Sequence, residues 1–149
     1  MWKYGAQSLS KLATVHPKMR QIAMLALDLS PYDIAIIHGW RGEEVQNALF
    51  DSRASTKRWP DSKHNRSDDI DYELTDRISD ALDFAPWIDG AIPWDETHIF
   101  ACVAGCFFAA AKQLDARIRW GGDWDGDGNT KEHKLQDWGH MELIFHAGT

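Results

Sequence analysis

The amino-acid sequence predicts an α+β fold: a small, mostly antiparallel sheet packed with helices. Three observations carry that expectation. Met19, Ile22, Ala23, Ala26 and Leu29 recur at helical spacing. The uncharged run Ile99 to Ala111 spans thirteen residues, long enough for a buried helix. The remaining apolar segments are short, non-alternating, strand-like runs mixed among a few helices, as α+β folds require.

The elements follow in order. Ser8 to Val15 reads as a short helix capped by Ser8 or Ser10. Pro17 suits the first turn of a second helix, which Ser30-Pro31 ends. Asp33 to His38 carries Ile34, Ile36 and Ile37 and reads as a strand. Gly39-Trp40-Arg41-Gly42 is a turn, and Glu43 to Phe50 a helix. Asp51 to Arg77 is polar and weakly periodic, a long loop of the kind that tends to carry function. Ala81 to Ala85 is a short strand and Pro86 to Pro93 a turn region. Asp95 to Leu114 is a helix apolar nearly all round, hence central. Arg117 to Trp120 is a strand, Gly121 to Gln136 a Gly/Asp-rich loop, and His140 to Phe145 the last strand.

The chain has 149 residues, one domain (1–149), long enough to bury about two-thirds of its unfolded surface. Its formal charge is -7, from 23 acids against 16 bases, which disfavours nucleic acid and anionic lipid as partners. Bases cluster from Arg53 to Lys63 as a local patch on a solvated loop. Cys102 and Cys106 lie i, i+4 on an apolar segment and read as two small core residues, not a disulfide or a metal pair. Most of the eight tryptophans read as core or surface-anchoring rings, with several available to line a groove. Neither a secretory h-region nor a bilayer-spanning run is present, so the expectation is synthesis in the cytoplasm without stable membrane association.

Three segments supply chemistry. Ser62-Lys63-His64, Asp80-Ala81-Leu82-Asp83 and Asp137-Trp138-Gly139-His140 together offer two histidines, an aspartate and a spare carboxylate. Catalytic zinc needs this donor set: three protein ligands, a fourth position for water, and a nearby base. His64, Asp83 and His140 are the candidate ligands and Asp137 the candidate base. Each residue alone has a bland alternative: a solvated loop histidine, a turn acid, an edge histidine.

The order of these segments resembles peptidase family M15, zinc D,D- and L,D-peptidases that include the vancomycin-resistance D-Ala-D-Ala dipeptidases and carboxypeptidases. The likeness extends through Leu12-Ala13-Thr14-Val15-His16-Pro17, Leu29-Ser30-Pro31-Tyr32-Asp33, Phe84-Ala85-Pro86-Trp87-Ile88-Asp89-Gly90, Gly122-Asp123-Trp124 and Gly139-His140-Met141-Glu142-Leu143. Within that family the chain is most similar to phage endolysins that act as L-alanyl-D-glutamate peptidases. The resemblance implies a hedgehog/D-Ala-D-Ala-peptidase-like fold and a peptidoglycan stem peptide as substrate. It also implies a monomer that acts on the wall of its host after release by a holin-like partner. One departure bears on the ligands. Family spacing counted from His64 lands on Asp71, whereas sequence context selects Asp83, nineteen residues on, because Phe84-Ala85-Pro86-Trp87 follows it. Asn65 to Ile78 then reads as an insertion, with Asp71 as runner-up. Arg41 matches the family's active-site arginine and would clamp a substrate carboxylate or stabilise an oxyanion. Ser62 would orient His64 or contact substrate, and Glu142 would support a zinc histidine.

Asp123, Asp125 and Asp127, with Gly128, match the opening of an EF-hand loop, but Lys134 stands where its bidentate Glu belongs. A partial calcium site, joined by Glu132, competes with an ordinary Gly/Asp turn. The leading expectation is therefore a zinc peptidase cutting the L-Ala–D-Glu bond. The alternatives are a D-Ala-D-Ala carboxypeptidase, a non-catalytic metal-stabilised wall-binding module, and a calcium-binding structural domain.

Overall fold

The computed structural model describes residues 1–69, 77–129 and 137–145. In chain order its elements are α1 (Ala6–Leu12), α2 (Pro17–Leu29), β1 (Asp33–His38), α3 (Glu43–Asp51), β2 (Ala81–Trp87), α4 (Thr97–Gln113), β3 (Arg117–Trp120) and β4 (His140–Ile144). The strands form one antiparallel sheet in the order β1-β2-β4-β3. The expected α+β class is the observed one.

Each strand divides its side chains between two faces, because successive residues of an extended chain point opposite ways. Leu82 and Phe84 of β2, Met141 and Leu143 of β4, and Ile118 and Trp120 of β3 enter the hydrophobic core. Asp83, His140, Glu142 and Arg119 alternate with them and fall on the opposite face. α4 packs on the core side against β2 and β3, and α2 packs against α4. The short strands do alternate, contrary to the reading from sequence. The alternation was hidden because His140 and Glu142 are themselves buried, so β4 is covered on both faces.

β1 departs from this rule in a useful way. Ile36 pairs with Phe84, but the register then slips by one residue, so His38 rather than Ile37 lies opposite Asp83. A bulge of this kind re-aims a side chain. Here it moves His38 from the core-facing series Ile34, Ile36 onto the Asp83 face.

Several boundaries differ from expectation for physical reasons. α1 starts at Ala6 with Gly5 as its N-cap, so neither Ser8 nor Ser10 caps it. Ser8 is buried, and its Oγ accepts the Ile36 amide at 3.0 Å, tying α1 to β1. α2 begins at Pro17 as expected, with the His16 ring accepting the Lys18 amide. β2 continues through Pro86 to Trp87, because β4 pairs only with Ala81–Asp83 and leaves no partner beyond that needs the missing proline N–H. The turn follows at Asp89-Gly90, whose φ values of 52° and 78° suit a tight two-residue hairpin. α4 is apolar nearly all round, as expected, but it is not central, because one of its faces meets solvent. Ile99, Val103, Phe107 and Ala110 are buried, while Phe108 is 41% exposed. Cys102 is exposed, whereas Cys106 is half-buried and packs against the core, so only Cys106 meets the expectation of a core residue. No helix among the described residues is long and apolar enough to cross a membrane.

Gly121 links the fold to the site. Its amide donates to the His140 carbonyl and its carbonyl accepts the Asp137 amide. A Cβ added at Gly121 would lie 2.2 Å from the Asp137 carbonyl oxygen and 2.9 Å from the Asp137 Cβ. Backbone atoms cannot rotate away, so Gly121→Ala must push Asp137 out of place. The expected result is a loss of about 1–3 kcal/mol in thermal or denaturant unfolding, together with reduced turnover. Unchanged stability and activity would show that the 121–137 pairing tolerates displacement.

Candidate active site

The pairing of three strands assembles the site. Asp83 in β2 lies opposite His140 in β4 and opposite His38 in β1. His64 reaches the same point from the turns after α3. Ser62 Oγ accepts the His64 amide, Asn65 Oδ1 accepts the Ser62 amide, and the His64 carbonyl accepts the Arg41 amide. Ser62 thus shapes the turn that presents His64.

Three donor atoms converge. His64 Nε2 lies 3.1 Å from Asp83 Oδ1 and 3.2 Å from His140 Nδ1, and His140 Nδ1 lies 3.4 Å from Asp83 Oδ1. A tetrahedral divalent ion with nitrogen and oxygen bonds of about 2.0–2.1 Å sets its donors about 3.3–3.4 Å apart. The triangle therefore matches one face of such a tetrahedron, and these residues fit a metal. Each histidine is also held from behind. His64 Nδ1 faces the Gly39 carbonyl at 2.9 Å, and His140 Nε2 faces Glu142 Oε1 at 2.9 Å. Such outer partners fix which ring nitrogen is free to coordinate.

The electrostatics favour a cation at the same point. Burial lowers the His64 imidazole below its ordinary value. Burial would lower His140 as well, but its hydrogen bonds to Asp83 and Glu142 reverse the sign and raise it to about 9. Burial would raise Asp83, but the charge of His64 and the hydrogen bonds from His140, His38 and His64 hold it well below the usual carboxylate range. The site keeps a negative Asp83 and draws a positive charge to the histidines, and a divalent cation meets that demand.

Glu142 is testable through this arrangement. Glu142→Gln keeps the shape but removes the negative charge behind His140. Metal affinity should fall by roughly 10–100-fold in a chelator competition, with the fold retained. An affinity equal to that of the unaltered protein would leave Glu142 without a part in holding the ion.

Asp137 stands beside the triad. It lines the same cleft as His64 and His140. Its carboxylate makes no hydrogen bond among the described residues, so it is available to a proton. Burial, then the charge of Asp83, push it above its ordinary value. Arg41 lies where the sequence placed it, but its partner is protein. Nη2 donates to Asp83 Oδ2 at 2.5 Å, and Nη1 to Gln46 Oε1 at 3.4 Å.

Two residues of the site escaped the reading from sequence. His38 Nδ1 lies 3.1 Å from Asp83 Oδ2, a contact that depends on the β1 bulge. Gln46 is fully buried and bonds to Arg41, Asn65, Ser55 and Lys57. A glutamine on the inner face of an amphipathic helix was the only available signal for it.

Asp123, Asp125 and Asp127 do come together, with one oxygen of each within 4.8 Å of the others. One oxygen of each accepts an amide of the same loop. Gly128 N donates to Asp123, Asp127 N to Asp125 and Asn129 N to Asp127. The bonds to Asp125 and Asp127 are of the Asx type that forms turns, and the calcium expectation gains no support. Glu132, Lys134 and the runner-up ligand Asp71 lie outside the described residues.

Comparison with known proteins agrees with this geometry. The L-alanyl-D-glutamate peptidase of Escherichia phage T5 is 35% identical over 148 residues, covering 96% of this chain and 98% of that protein. The solved structure of the Serratia marcescens L-Ala D-Glu endopeptidase ChiX shares the fold, with a TM-score of 0.73 and 25% identity over 96% of this chain and 91% of that one. The profile of the phage L-alanyl-D-glutamate peptidase family matches residues 1–144, and the chain belongs to that family.

Proposed function

We propose that this protein is a zinc-dependent peptidase, one catalytic domain, that hydrolyses the L-Ala–D-Glu bond of the peptidoglycan stem as a phage-type lysis enzyme. The observation that carries the reading is the triangle of His64, Asp83 and His140 donors, with Asp137 beside it, in a chain of this family. Zinc held there would polarise the scissile carbonyl and make nucleophilic water available at neutral pH. Asp137 takes the proton from that water and passes it to the departing D-Glu amine. Arg41 holds Asp83 in position and balances its charge. Ser62 and Glu142 orient the two histidines. Access to the wall through a holin-type partner belongs to the same reading.

The test is mass analysis of fragments released from purified peptidoglycan by the zinc-loaded protein. Cleavage at L-Ala–D-Glu leaves stem fragments with a new free D-Glu amine. Release of D-Ala alone would instead mark a carboxypeptidase. Wall binding with no fragment would mark a non-catalytic module.

A further inference from the structure

The cleft over the metal triad has a charge opposite to that of the protein. It encloses about 530 Å³, within the roughly 300–1,000 Å³ usual for small-molecule sites. Its lining holds five cations, Arg41, Arg53, Lys57, Lys63 and Arg119, against two acids, Asp137 and Glu142, in a chain of net charge -7. Three of the five are committed. Arg41 is bound to Asp83, Lys63 to Asp68, and Arg119 lies 3.8 Å from Glu142. Arg53 and Lys57 are exposed and have no carboxylate partner among the described residues.

Their wall is fixed to the site, not loosely attached. Gln46 Nε2 donates to the Lys57 carbonyl at 2.6 Å and to Ser55 Oγ at 2.9 Å, while its Oε1 accepts from Arg41 and Asn65. One buried side chain thus sets the distance between the cationic wall and the residues around the metal. Arg53 adds a second observation. It follows the C-cap of α3 at φ 66°, a left-handed position that favours Gly or Asn. The dipole of α3 accounts for a cation at 53, but it does not account for Lys57 or for the opening of both into the cleft.

We propose that Arg53 and Lys57 recognise the α-carboxylate of the stem D-Glu, so that the enzyme selects stems in which this group is free over stems in which it is amidated. The inference rests on the L-Ala–D-Glu reading above. The scissile nitrogen and the α-carboxylate share one carbon in that substrate, because the stem continues through the side-chain carboxyl of D-Glu. A stem bound with its L-Ala carbonyl at the triad must therefore bring the carboxylate into this same cleft. A carboxylate there supplies the anionic partner that these two cations lack among the described residues, whereas a primary amide does not.

The experiment uses the zinc-loaded enzyme and two synthetic muramyl tripeptide stems, identical except for D-Glu or D-isoglutamine at the second position. The expected result is a kcat/KM about tenfold or more higher for the free carboxylate. The Arg53→Gln, Lys57→Gln double variant should bring that ratio close to one by raising KM for the acidic stem. The Arg53→Lys, Lys57→Arg swap should retain most of it. Calorimetry with the product-side peptide should show the same order of affinities without turnover. Equal use of the two stems by the unaltered enzyme, or a full preference retained in the double Gln variant, overturns the proposal while leaving the peptidase reading intact. Failure to cut either stem when zinc is loaded overturns both.

Discussion

Asp83→Ala is expected to abolish metal binding and hydrolysis together, while Asp71→Ala leaves both in place. Asp83 is the only anion in the donor triangle, and its second oxygen anchors Arg41 and His38. Losing a direct ligand should cost more than the ~10–100-fold typical of an outer hydrogen bond. The variant also leaves the Arg41 guanidinium, whose side chain is 11% exposed, without its counterion. Breaking a buried pair on one side costs about 3–5 kcal/mol, so a lower melting temperature should accompany the loss. Asp83→Asn separates the two effects, since it keeps the shape and removes the charge. Metal content by elemental analysis, circular dichroism and wall turnover are the measurements. Zinc retained in both folded Asp83 variants but lost in Asp71→Ala would transfer the ligand role to Asp71.

That pair of substitutions also marks what the sequence could resolve. Spacing and context pointed to different aspartates; strand pairing sets Asp83 beside the two histidines, while Asp71 lies outside the described residues. Asp83 sits opposite His140 only because Leu82 pairs with Met141 and Ala81 with Glu142. The longer helices were legible because their apolar periodicities are strong, and the four strands because short apolar runs stand out between turn residues even where their alternation is hidden. His38 was not, since the bulge that turns it toward Asp83 is set by register and has no local sequence signal. Pro86 concealed the end of β2, because whether a strand tolerates proline depends on which neighbour is present. Gln46 and Ser8 are polar side chains in short helices, and only tertiary contacts show that they are buried. The cationic loop from Arg53 looked like a solvated patch for a similar reason. Its link to the site passes through Gln46, a residue with no motif.

Asp137→Ala is expected to keep zinc and fold yet lose at least about 10²-fold in kcat, the lower end of what a positioned general base contributes. Asp137 donates nothing to the triangle, so the three ligands and their outer partners persist without it. Its backbone is held twice, by Gly121 through the Asp137 amide and by the His140 amide on the Asp137 carbonyl. The substitution keeps both of these bonds, so the geometry of His140 should survive and metal content should not change. The carboxylate lines the cleft with no hydrogen-bond partner among the described residues, which suits it to the proposed proton transfer. A base must be ionised to act. Loss of activity on the acid side should therefore follow protonation of Asp137, and that limb of kcat should flatten in Asp137→Ala. Asp137→Asn should behave like the Ala variant, since the amide occupies the same space but accepts no proton. If either folded, zinc-loaded variant turns over at the rate of the unaltered enzyme, the proton passes by another route and Asp137 has no part in the reaction.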